Sequence, residues 1–102
     1  MSTSNRVTEK QLQAVVDRIN RIMGTPLQPY GENINGRCNP QANCYHLSFA
    51  YGGAALHCMS DKAGCTGVRD IFGYHMPKRE LMEKMQAFIS GIYEKQELSK
   101  AA

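Results

Sequence analysis

Residues 45–59 read YHLSFAYGGAALHCM. Leu47 and Phe49 alternate with Ser48 and Ala50, the period of two that a strand imposes on its side chains. Gly52-Gly53 follows as a two-residue turn, and a second strand runs from Ala54 to about Met59. With that turn, Tyr51 faces Ala54, Phe49 faces Leu56 and Leu47 faces Cys58, all on one apolar face. The opposite face pairs Ala50 with Ala55, Ser48 with His57 and His46 with Met59. The register alone therefore separates a core face from a semi-polar one.

Helical signals stand on both sides of this hairpin. Thr8 and Gln11 form a Thr-x-x-Gln capping box, which opens a helix. Leu12, Val15, Val16, Ile19, Ile22 and Met23 then draw one apolar stripe. Asp17 and Arg21, four apart on the polar side, are spaced to pair weakly. Gly24 and Pro26 stop the helix. After the hairpin, residues 60–67 are a polar connection, Val68–Phe72 supplies a third strand, and Gly73 ends it. Pro77 suits the first turn of a second helix, whose stripe is Leu81, Met82, Met85, Phe88, Ile89, Ile92 and Tyr93. Glu80–Lys84 and Arg79–Glu83 are charge pairs on its wet side. Gly91 weakens it, so either a close contact requires the glycine or the helix frays beyond it. Between the first helix and the hairpin, Asn35-Gly36 marks a tight turn flanked by Ile34 and Arg37. The reading is an α+β fold: helix, a short antiparallel sheet of three to four strands, helix, with both helices on one sheet face.

The 102 residues make one domain, with residues 1–7 and 96–102 expected to be mobile. The hydrophobic fraction of 42% and charged fraction of 21% are those of an ordinary globular chain, which argues against disorder. No apolar run approaches the ~18 residues of a membrane span, and no secretory signal opens the chain. A cytoplasmic location and reduced thiols are expected. The net charge of +3 permits an anionic partner without demanding one, and no basic run marks a nucleic-acid tail.

Four groups of residues bear on function. Cys38, Cys44, Cys58 and Cys65, with His46 and His57, are zinc-type ligand residues, but no two cysteines have the two-to-four-residue spacing of a structural zinc site. Buried or loop thiols are the simpler reading, and a Cys38–Cys44 disulfide is a lesser alternative. Cys44, His46, Ser48 and His57 contain the pairing of nucleophile and base that covalent catalysis needs. No nucleophile-elbow motif accompanies them, and a Ser48–His57 cross-strand hydrogen bond explains them equally well. His75, Lys78 and Arg79 cluster at the start of the second helix, where cations oppose the helix dipole, and Arg69 can join them. With free backbone N–H groups they would form an anion site. Against this, Lys78 and Arg79 suit plain solvated positions. Tyr51-Gly52-Gly53 is first a turn needing positive φ and second a place of close approach for a ligand or partner.

The segments Tyr45-His46-Leu47 and Ala50-Tyr51-Gly52-Gly53-Ala54-Ala55-Leu56 resemble a pattern in small tailed-bacteriophage proteins. So do Asp70-Ile71-Phe72-Gly73, the segment from His75 to Leu81, and residues 87–92. The opening helix, followed by Gly24-Thr25-Pro26-Leu27, fits the same pattern, so the likeness covers most of residues 10–92. Cysteine is not regular in that pattern, which weighs further against a metal. The resemblance implies a phage accessory protein in the bacterial host cytoplasm, of a kind that blunts host defences by binding. It assigns no residue a role. The expected function is therefore non-enzymatic binding, without cofactor, metal or catalytic residue. One form sequesters a nucleotide-type anion through Arg69, His75, Lys78 and Arg79. The other binds a host protein, or a second copy in a dimer, through His46, Ser48, His57 and Met59. The alternatives are a small Cys/His hydrolase and a weak nucleic-acid binder.

Overall fold

The computed structural model describes residues 6–37, 39–60 and 67–101. Helix α1 (Glu9–Met23) starts where the capping box places it. The Gln11 amide donates to Thr8 Oγ1 at 3.1 Å, and the Thr8 amide donates to Gln11 Oε1 at 2.9 Å. Gly24 ends the helix in the left-handed region at φ +74°. Asp17 accepts from Gln13 Nε2 at 3.0 Å, one turn upstream of it. The second helix, α2 (Lys78–Ala101), is 24 residues long and does not stop at Gly91. Residues 96–101 thus continue the helix.

Three strands form one antiparallel sheet in the order β1 (Tyr45–Ala50), β2 (Gly53–Met59), β3 (Val68–Asp70). The expected hairpin is present, but its turn is Tyr51-Gly52, at φ +55° and +73°, and Ala50 pairs with Gly53. Tyr45 therefore faces Cys58, Leu47 faces Leu56, Phe49 faces Ala54 and His46 faces His57. The slip against the sequence reading is two residues, and a two-residue slip leaves every side chain on its original face. The segregation of faces survives although each named pair changes. Gly53 stays out of the left-handed region but meets Met76: a Cβ there would lie 2.7 Å from the Met76 carbonyl oxygen. That close approach excludes the other residues from position 53.

The third strand is shorter than its sequence suggests. Ile71 still donates to the Leu56 carbonyl at 3.0 Å, and the chain then leaves the ladder. It returns at Met76, which exchanges two backbone bonds with Ala54 at 2.8 and 2.9 Å. Residues 72–75 stand against Ala55 alone, a wide excursion from the sheet edge. Asp70 helps shape it by accepting from the Gly73 amide at 3.0 Å.

Leu12, Val16 and Ile19 of α1 and Leu81, Met85 and Ile89 of α2 pack on Tyr45, Leu56 and Cys58. Phe49 lies on that face but is 46% exposed. Near the hairpin tip, its neighbours are the polar Glu9 and Lys78 at the starts of the two helices. The opposite face is not open throughout, because Ala55 and Met59 are buried. Between α1 and β1, Ile34 and Arg37 exchange backbone bonds at 3.0 and 3.1 Å around Asn35-Gly36, the expected tight turn. One clamp ties α1 to the sheet. The buried Asn20 accepts from the Tyr45 amide and donates to the Tyr45 carbonyl, both at 2.9 Å.

Candidate functional site

The face of the sheet turned away from the helices carries all three histidines of the chain. β1 places His46 and β2 places His57 directly opposite it. The excursion after β3 brings His75 over the same face. The rings form a row, His46 to His57 and His57 to His75, each 5.8 Å between centroids and edge to face. The Tyr51 ring extends the row, 5.5 Å from His75. Ser48 Oγ lies 3.1 Å from His75 Nε2, and Asp70 Oδ2 lies 3.6 Å from His57 Nε2.

The row has an inner end and an outer end. His46 Nε2 is buried with no hydrogen-bond partner among the described residues. Burial is the main cause that holds the His46 imidazole below its ordinary pKa; a backbone hydrogen bond at Leu47 opposes this, and His57 adds to it. At the outer end Tyr51 is 95% exposed, although it is a non-glycine residue in the left-handed region. An aromatic residue is disfavoured there, since such turns select Asn, Asp or Gly. Next to it, Glu9, Phe49, Ala50, Gly52, Gly53 and Lys78 line a shallow depression.

The four expected anion ligands do not share one location. His75 and Lys78 both flank the hairpin tip, because Met76 between them is bonded to Ala54, but His75 stands with Tyr51 and Ser48 on the face away from the helices, whereas Lys78 lines the depression with Glu9 and Phe49. Lys78 Nζ lies 3.9 Å from Glu9 Oε2. Arg69 faces the helix side, opposite Cys58, with a guanidinium nitrogen 3.8 Å from Cys58 Sγ. Arg79 lines a separate depression with Arg6, Gln11 and Met82. Of the second-face residues, His46, Ser48 and His57 are partly exposed, whereas Met59 is buried and unavailable to a partner. The partner of Ser48 is His75 rather than His57, because Ala55 occupies the position opposite Ser48.

The thiols that are described are poor nucleophiles. Cys44 is buried, and its pKa is pushed up to about 11 by burial and by the neighbouring Cys58 and Asp17. Cys58 is raised by burial, with Arg69 opposing the shift. Among the described residues no group of three or more His, Cys, Asp or Glu side chains is placed to hold a metal ion. Cys38 and Cys65, and with them the disulfide expectation, lie outside the described residues. Among the described residues no helix is long and apolar enough to cross a membrane.

Asp70 is the site residue that sequence reasoning passed over. Its signal was an aspartate three residues before a glycine, a turn pattern. Asp70 holds that turn with one oxygen and faces His57 with the other. No family model matches this chain, and no curated protein or solved structure matches it either.

Proposed function

We propose that this chain is a small non-enzymatic binding protein that takes an anionic, nucleotide-type ligand at the hairpin tip. In the setting its phage resemblance implies, it acts in the host cytoplasm by sequestering a nucleotide defence signal. The observation that carries the reading is Tyr51, an aromatic ring 95% exposed on backbone at φ +55°. Packing of Gly53 against Met76 imposes that conformation, and residues so strained cluster at binding and catalytic sites. An exposed ring offers a stacking face to a base, and such stacking contributes about 1–3 kcal/mol per base. His75 beside the ring and Lys78 at the start of α2 supply cationic or hydrogen-bonding groups for a phosphate. The Lys78–Glu9 pair is exposed and weak, so a phosphate can compete for Lys78.

Calorimetric titration with cyclic mononucleotides tests the reading. Wild type should bind, Tyr51→Ala should lose roughly tenfold or more in affinity, and Lys78→Ala should also weaken binding. Absence of heat at millimolar ligand, with the protein folded, would remove the proposal.

A second reading rests on Ser48 Oγ at 3.1 Å from His75 Nε2, the geometry of a hydroxyl with its base. Among the described residues no carboxylate orients His75, which favours binding over hydrolysis. Turnover of ester or phosphodiester substrates that vanished in Ser48→Ala would reverse that preference.

A further inference from the structure

We infer that the hairpin-tip site is proton-linked: His75 takes up a proton as the anion binds, so affinity rises as the pH falls. The inference rests on the nucleotide-binding reading and adds its regulation. It comes from the way the histidine row distributes its partners. Imidazole is the side chain whose charge ordinarily changes between pH 5 and 8. His57, in the middle of the row, already has a carboxylate, Asp70, 3.6 Å away. His46, at the inner end, is partly buried, its Nε2 has no partner among the described residues, and it faces His57. A charge there has nothing to offset it. His75 differs from both. It lies at the outer end between the exposed Tyr51 ring and the His57 ring, and Ser48 Oγ is its hydrogen-bonding neighbour.

The groups that face His75 are therefore a hydroxyl from β1, a phenol ring from the turn and an imidazole from β2, with Asp70 of β3 one position further along the row. Lys78, three residues on, carries a like charge and is itself set against Glu9. Among the described residues no carboxylate contacts His75. A bound phosphate would be its missing counter-ion. Protonation and anion binding then support each other, as linkage requires.

The test uses cyclic AMP, a phosphodiester whose charge stays constant from pH 8 to pH 5.5, and adenosine as the uncharged control. Wild-type affinity for cyclic AMP should rise about tenfold over that range, the equivalent of ~1.4 kcal/mol. Adenosine binding should stay flat, and His75→Gln should bind cyclic AMP with a flat pH profile. In wild type, the His75 ring resonances should titrate at higher pH with cyclic AMP present than without it, and this readout needs no variant. A flat wild-type profile, a slope retained in His75→Gln, or a His75 titration unmoved by cyclic AMP overturns the inference while leaving the binding site standing. No binding of either compound at any pH overturns the site reading itself.

Discussion

Asn20 is the residue on which the joint between helix and sheet depends. β1 is an edge strand, and the Asn20 carboxamide satisfies both backbone groups of Tyr45 as a neighbouring strand would. Thr25 Oγ1 donates to Asn20 Oδ1 at 2.8 Å and fixes the orientation. Asn20→Ala leaves the buried Tyr45 amide unpaired and its carbonyl with only the weak Cys44 Sγ donor, and should cost about 1–3 kcal/mol, read from the urea midpoint. Asn20→Asp, which keeps the acceptor and loses the donor, should also destabilise. Tyr51 presents the opposite case. Its side chain contributes little to the fold, and its backbone conformation is unfavourable by about 1 kcal/mol or more for a residue with a Cβ. Tyr51→Asn should therefore raise the unfolding free energy by up to ~1 kcal/mol while it weakens the proposed nucleotide binding by roughly tenfold or more. A variant that gained stability and kept full affinity would show that the ring is not part of the site.

At the scale of elements, α2 and the excursion after β3 behave differently. α2 extends roughly 36 Å at the usual rise per residue, and its residues 93–100 are exposed. Gly91 lies within it, and a Cβ there would meet no atom within 4 Å. The glycine answers no packing need, so Gly91→Ala should stabilise by about 0.5–1 kcal/mol, measurable as a rise in Tm. The excursion at 72–75 is held at its ends by the bonds of Ile71 and Met76 to β2 and inside by the Asp70 turn. Tyr74 adds a tether by donating from its hydroxyl to Glu80 of α2. Without the excursion the β2–β3 register would carry His75 past the end of β2, opposite Gly52 of the turn and away from His57. The site is thus a product of a strand that leaves its ladder for four residues.

For the whole molecule, the two faces of the sheet divide the work. One face packs on both helices and supplies the hydrophobic core. The other carries the imidazole row, and its inner end ties stability to pH. Burial holds the folded His46 below its ordinary value of 6.5, so the unfolded chain binds the extra proton as the medium acidifies. Stability is fully present above 6.5, falls as the pH drops below it, and levels off once the lowered folded value has been passed. Urea midpoints at pH 7.5 and 5.5 should show the drop, and His46→Leu should reduce it. A drop of the same size in a folded His46→Leu protein would place the acid sensitivity elsewhere.

The local parts of this arrangement were legible in the sequence. The capping box at Thr8 and Gln11, the Asn35-Gly36 turn, the two apolar stripes and the period-two hairpin each depend on residues close together in the chain, whose conformational preferences are set by local sterics and hydrogen bonding. The hairpin shows where that legibility ends. Tyr-Gly-Gly offers two adjacent turns, and local preference favours Gly-Gly. Tertiary structure selects Tyr51-Gly52, because the close approach of Met76 to Gly53 draws that glycine into the ladder. The expected anion ligands meet the same limit of local reading. Arg69 and Arg79 are near His75 in sequence, but strand alternation and helix rotation send them to other surfaces. By itself the sequence determined which elements form and which face of each is apolar. The hairpin pattern also put His46 and His57 on one face, but only the tertiary structure decided that they stand directly opposite each other and that His75 joins them in a row, since register and the return of the chain after β3 depend on packing that no local pattern encodes.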